Sequence, residues 1–213
     1  MRWRATGVLL DTEPPGTRRP GGRTARTRAA VLQAVVSELV ENGYAGTTVE
    51  RIAERAGVAK TTIYRRWGRL SGLLADLMAQ YAAQEIPVPD TGCLDSDLRA
   101  LAREIVASLE NPAIRAAFSS VVAAAIQDEA ARQVLSRFIA ARTATMTVIV
   151  QRASQRGELP DGTDAAEVLQ IVTAQIYYRL FIAGEQPSHG IADRAGATAA
   201  AAARANVTLP AAG

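Results

Sequence analysis

The sequence predicts an all-α protein in which a small basic head precedes a larger, acidic helical body. Nearly every apolar segment repeats at the three-and-four spacing of a helix, and none alternates with period two. Residues that start helices (Thr47-Thr48, Asp128, Asp164) and residues that stop them (Gly57, Gly157, Gly184) fall between those segments. Charge is divided along the chain, with 13 basic and 6 acidic side chains through Leu70 and 11 and 15 after it. The net +3 therefore conceals a cationic front suited to a polyanion. With 213 residues, 48% of them hydrophobic, one or two domains with real cores are expected.

Residues 1–22 hold Pro14, Pro15, Gly16, Pro20, Gly21 and Gly22 without periodicity and read as a disordered arm. Arg18, Arg19, Arg23, Arg26 and Arg28 make it basic where it joins the first helix, as in arms that follow a duplex backbone or enter its minor groove; a solvated tail is the alternative. The head is predicted over 23–70. Its first helix runs from Thr24 to Asn42 with Leu32, Val35, Val36, Leu39 and Val40 on one face and Asn42-Gly43 as the exit. Thr47 or Thr48 caps the next helix, which buries Val49, Ile52, Ala53 and Ala56. Gly57 stops it, Val58 fills the corner, and a further helix occupies Lys60 to Arg66, which makes a helix-turn-helix.

At about 100° per residue, Ala59, Ile63 and Trp67 share the inward stripe of that last helix. Thr61 and Arg65 point away from it, flanked by Lys60 and Tyr64 on one side and Thr62 and Arg66 on the other. Each of these outward groups can reach a phosphate or a base edge, and none is acidic.

The body is predicted over 71–213. Leu73, Leu74, Leu77, Met78 and Tyr81 continue a helix that stops before Pro87. After a loop at 86–93, Asp95 is expected to cap a helix of 96–110, and Asn111-Pro112 to open one reaching Gln127. Asp128 opens a long helix to Arg156, Asp164 one to Ala183, and an Ala-rich helix spans 189–207. The 164–183 segment is apolar nearly all round, so it must be covered on two sides. Leu169, Val172, Ile176 and Leu180 would face the core; Val168, Ile171, Gln175, Tyr178 and Ile182 would face a second copy of the chain.

The run from Gly43 to Leu74 resembles the DNA-binding domain of the TetR (tetracycline-repressor) family of bacterial regulators. The matching residues are Gly43-Tyr44 before Thr47-Thr48, Ile52-Ala53, Ala56-Gly57-Val58, Thr62-Ile63-Tyr64, Trp67, and Leu73 with Leu74. The 156–164 run RGELPDGTD and the YYR at 177–179 are similar, more loosely, to a common form of the family's C-terminal domain. The resemblance implies a double-stranded DNA operator as partner, a homodimer formed through the last two long helices as a four-helix bundle, in which the Ala run at 199–203 would let backbones approach, and Tyr44 in the head core. It also implies a small-molecule effector, unnamed by the sequence, held in the C-terminal domain. Lys60, Thr61, Tyr64 and Arg65 are expected near bases or the backbone beside them, and Thr47, Thr48, Arg51, Thr62, Arg66 and Arg69 at phosphates. One departure is visible: family members usually carry a phosphate-gripping Lys where Leu70 stands, and Arg69 is the neighbouring cation. Candidate effector contacts are the polar, aromatic or sulfur-bearing residues of otherwise apolar helices: Met78, Arg115, Phe118, Phe138, Arg142, Met146, Gln175, Tyr177, Tyr178 and Arg179.

Other classes find little support. The single cysteine, Cys93, allows no intrachain disulfide, and its neighbours Asp90, Asp95 and Asp97 disfavour a thiolate sensor. His189 is the only histidine, expected in a loop with no ligand partner, so no metal, cofactor or catalytic set is expected. No apolar run approaches the roughly 20 residues of a membrane helix, and Gly7–Leu10 is too short for a signal-peptide core, so a cytoplasmic protein is expected. The reading is a ligand-responsive regulator, most simply a repressor; an activator, or a sequence-tolerant DNA-binding protein without an inducer, stays open beside it.

Overall fold

A computed structural model describes residues 22–83, 87–205 and 207, and among them every regular element is helical. The arm expected over 1–22 lies outside these residues except for Gly22, which opens the first helix, and so does Pro210. The head comprises α1 (Gly22–Gly46), α2 (Val49–Ala56) and α3 (Lys60–Trp67), followed by α4 (Leu70–Ala82). The body adds α5 (Leu94–Glu110), α6 (Pro112–Ala125), α7 (Glu129–Gln155), α8 (Ala165–Tyr177) continued by a π-helical turn (Tyr178–Ile182), and α9 (His189–Arg204).

Two cores hold these helices. Val31, Val35, Leu39, Ile52, Ile63, Leu73, Leu74 and Leu77 form the first, joined by Ala117, Val121 and Ala124 of α6 and Ala131 and Val134 of α7. The second gathers α5, the C-terminal half of α7 from Met146 onward, α8 and α9. The first core thus extends past the three head helices to α4, α6 and the start of α7. An aromatic cluster bridges the two: Phe118 lies 6.1 Å from Phe138, 4.6 Å from Tyr177 and 5.3 Å from Phe181, ring centre to ring centre. Phe138 packs on the first core, and Tyr177 and Phe181 on the second.

The structure departs from expectation in several places. Helix α1 breaks at Gly43, where φ is 63°, near the expected exit. Val40, expected on its inner face, is 48% exposed. Asp95 does not cap α5: that helix starts at Leu94, before Asp95, and the Leu94 N–H donates to Glu158 Oε2 at 2.9 Å, a cap supplied from 64 residues away. Asp95 pairs with Arg99 instead. Val168 is fully buried, because α7 and α9 both cover α8. His189 is the first residue of α9, with Ser188 as its cap, and not part of a loop. Most of the Ala run faces inward: Ala199, Ala200 and Ala203 are buried within the chain, while Ala201 is exposed. At Gly196 of the same helix an added Cβ would lie 2.7 Å from the Arg99 backbone, so α9 and α5 meet almost backbone to backbone.

Candidate nucleic-acid interface

The candidate surface is assembled by local chain chemistry. Thr48 caps α2, its side chain accepting from the Arg51 N–H at 3.3 Å. Gly57 ends that helix at φ 64°, ψ 35°, a left-handed conformation that costs little without a Cβ, and its N–H returns to Ala53 and Glu54. The turn sets α3 across α2, where Ile63 is wholly buried and anchors it. Burying such a side chain contributes roughly 1.5–3 kcal/mol. Trp67 donates its indole N–H to Asp76 Oδ2 at 2.9 Å, which fastens the end of α3 to α4. Ala59, expected on the inward stripe, is exposed; its extended backbone (φ −67°, ψ 139°) caps α3 and takes it off the helical period.

Outward, α3 shows Lys60 (the chain's only lysine), Thr61, Tyr64, Arg65 and Arg66 exposed, with Thr62 half-buried. Among the described residues Thr61, Arg65 and Arg69 carry no side-chain hydrogen bond or ion pair, so both guanidinium groups are available to a polyanion. Arg66 is drawn back: its guanidinium lies 4.9 Å from the Trp67 ring centre and donates to the Thr24 carbonyl at 3.2 Å. Arg69 is exposed at the N-cap of α4, and Leu70 beside it packs on the head core.

Three carboxylates shape this surface, and none lies on the outward face of α3 itself. Glu38, buried in α1, accepts from Arg51 Nε and Arg55 Nε at 2.7 Å each. Burial pushes its carboxyl up, but Arg55 and Arg51 outweigh that and hold it below the usual range. Arg51, expected at a phosphate, is therefore tied to α1 through one nitrogen while its side chain stays 50% exposed. Asp76 accepts from Arg28 at 2.7 Å and from Trp67, and the Arg28 bond holds its carboxyl below the usual range. Glu50, in the first turn of α2, meets α3 directly through Tyr64 and Lys60. One expected contact is corrected: Thr47 is buried, and its hydroxyl donates to the Gly43 carbonyl at 2.6 Å, so it does not present a group to phosphate.

In the body, a groove of about 430 Å³ runs between α4 and α7, lined by Ala75, Met78, Ala79, Ala82, Val134, Arg137 and Phe138. Two of the expected effector residues, Met78 and Phe138, line it. Phe118 and Tyr177 stack behind Phe138, and Arg142 lies 5.7 Å from the Phe138 ring centre while donating to the Tyr81 carbonyl. Burial pushes the Tyr177 phenol up to about 12, against the pull of Arg142. Met146 sits in the second core. Arg115 and Gln175 are half-buried away from the groove, Tyr178 is 61% exposed, and Arg179 pairs with Glu185 at 2.8 Å. The signal overlooked was the small-residue stripe 75, 79, 82 around Met78, which leaves room beside α4.

Comparison with known proteins agrees with this arrangement. Residues 31–77, the head and most of α4, match the family described as bacterial regulatory proteins, tetR family. Residues 88–199 match the tetracyclin repressor-like C-terminal domain. The chain is 29% identical over 164 residues to the uncharacterized HTH-type transcriptional regulator YdeS of Bacillus subtilis (strain 168), covering 77% of this chain and 83% of that protein. It is 32% identical over 162 residues to the HTH-type transcriptional regulator AqdR of Rhodococcus erythropolis, covering 76% and 77%. Its fold is similar to that of SmeT in complex with triclosan, with a TM-score of 0.60 at 22% identity over 87% of this chain and 96% of that one. With both the reading head and the body matched in register, the chain belongs to the TetR family of helix-turn-helix transcriptional regulators.

Proposed function

We propose that the chain is a ligand-responsive repressor that grips a palindromic operator as a homodimer, with residues 23–70 as the reading head and 71–213 as the sensing and dimerising body. The outward row of α3, held by Ile63 and Trp67 while Lys60, Thr61, Tyr64 and Arg65 stay exposed, is the observation that carries the reading. One such helix reads too few base pairs to find a site in a genome. Two related by a two-fold axis, about 34–36 Å apart or a multiple of that, read mirrored half-sites. The outer side of α8 and its π turn supports a dimer there: Tyr178 and Ile182 are 61% and 72% exposed beside exposed Ala174.

The groove between α4 and α7 is the effector site in this reading, and the triclosan held by SmeT supports a small molecule as its occupant. Its α4 wall carries Asp76, which holds Arg28 of α1 and Trp67 of α3. An occupant that fits better with α4 displaced from α7 would move the heads out of register with the grooves, which requires only differential affinity for the two arrangements.

Selection of bound duplexes from random DNA, with native mass spectrometry of the complex, tests the operator half. A mirrored sequence carrying an even number of chains is expected; an asymmetric target bound by one chain would overturn it. Tyr178→Asp with Ile182→Asp should yield a folded monomer that binds the selected duplex weakly.

A further inference from the structure

The outward face of α3 carries no acid of its own, yet a carboxylate reaches it from α2. Glu50 Oε1 accepts from the Tyr64 hydroxyl at 3.3 Å and lies 3.8 Å from Lys60 Nζ. All three side chains are at the surface, Glu50 and Lys60 half exposed or more. We propose that Glu50 is a specificity-determining residue: it holds Lys60 and Tyr64 against α2, so that only a duplex offering them base edges or well-placed phosphates draws them off.

The argument is electrostatic. Glu50 is ionised, its carboxyl held below the usual range by the backbone N–H at the start of α2 and by Lys60. Its charge in turn raises the Tyr64 phenol, which stays a donor. On DNA of any sequence Glu50 is repelled by phosphate and partly cancels Lys60, so non-specific binding releases about one counterion fewer. On an operator, Lys60 and Tyr64 gain partners that offset the lost contact with Glu50. On a wrong sequence they gain none. The carboxylate therefore weakens wrong complexes more than the right one, which is how selectivity arises from a repulsive element.

The inference rests on the operator reading above. A wild-type protein that binds selected and scrambled duplexes equally would sink that reading before any variant is made. Given a preference, Glu50→Gln in the full chain should tighten binding to scrambled duplex by roughly five- to tenfold at about 0.1 M salt and steepen its salt slope by about 0.9. Binding to the selected operator should tighten by about threefold or less, so the ratio between the two falls. Glu54→Gln is the control for net charge: Glu54 is exposed on the same helix and touches neither Lys60 nor Tyr64. In a Tyr64→Phe background the effect of Glu50→Gln should shrink. Equal tightening on both duplexes, no change on either, the same result from Glu54→Gln, or an undiminished effect beside Tyr64→Phe would each overturn the proposal. So would loss of operator affinity with a changed preference at one base pair, since Glu50 would then be reading a cytosine amino group itself.

Discussion

The two cores differ in where their charged ties lie. In the first, discrete charged ties join helices: Glu38 binds α1 to Arg51 and Arg55 of α2, and Asp76 binds α4 to Arg28 and Trp67. In the second, α5 and α9 meet through Gly196 and a row of buried alanines, with Leu98, Ile149 and Ile176 wholly buried around them. Charged ties in the second core lie nearer the surface: Arg103 of α5 pairs with Asp193 of α9 at 2.7 Å with side chains 52% and 32% exposed, while buried Asp97 accepts from Thr91 of the adjoining loop and lies 3.8 Å from Arg156 at the end of α7. Close apolar packing resists sliding everywhere at once, whereas a few directional ties fix an angle and can be exchanged one at a time. The proposed response to an effector, with the head in one orientation on DNA and another off it, is better served by the second kind. The groove and the aromatic cluster lie where the two kinds meet.

The sharpest challenge to that contrast is Leu98→Ala, which leaves a cavity in the second core and should cost about 2–5 kcal/mol by denaturant titration. Glu38→Gln should cost less, about 1.5–3 kcal/mol, because Arg51 and Arg55 can turn to water. A larger loss at Glu38 than at Leu98 would reverse the ranking. Asp76→Asn keeps an acceptor for Trp67 and loses the pairing with Arg28, at about 1–2 kcal/mol. Acid loosens ties in both cores, since Glu158 and Asp193 of the body are held below their ordinary values as well. The Glu38 and Asp76 carboxyls are held below their ordinary values, so the stability they confer is complete above about pH 5 and is lost as pH falls through the folded values. Trp67 fluorescence in a Trp3→Phe background should therefore report an acid transition of the head whose midpoint moves when Asp76→Asn removes one of these carboxyls; an unmoved midpoint would take Asp76 out of the head's acid response. Smallest is Thr48→Ala, about 1 kcal/mol from the lost cap of α2, read as a lower melting temperature with the body unaffected.

Much of this architecture was legible from periodicity and punctuation. Gly57, Asn111-Pro112, Asp128 and Asp164 act where a local rule places them, because a cap or a left-handed turn involves only a few neighbouring residues. Where partners are distant, local rules fall short. The α5 cap comes from Glu158, Val168 is buried by two other helices, and most of the Ala run packs inside its own chain. At the reading surface, the outward order of α3 follows from its 100° step. The answering acids Glu38, Glu50 and Asp76 lie on three other helices, and no spacing along the chain reveals them. Thr47 shows the same limit from the other side: two adjacent threonines look equivalent in sequence, and only the fold buries one and leaves the other as cap.

A chain with one lysine offers chemistry a single ε-amine, and here that amine stands on the helix proposed to meet DNA. Acylation of that ε-amine converts a cation into a neutral amide and leaves every arginine untouched. A dye attached the same way would sit at the protein–duplex boundary without any engineered cysteine. The uneven use of lysine and arginine thus gives the molecule a built-in chemical handle at its most informative point.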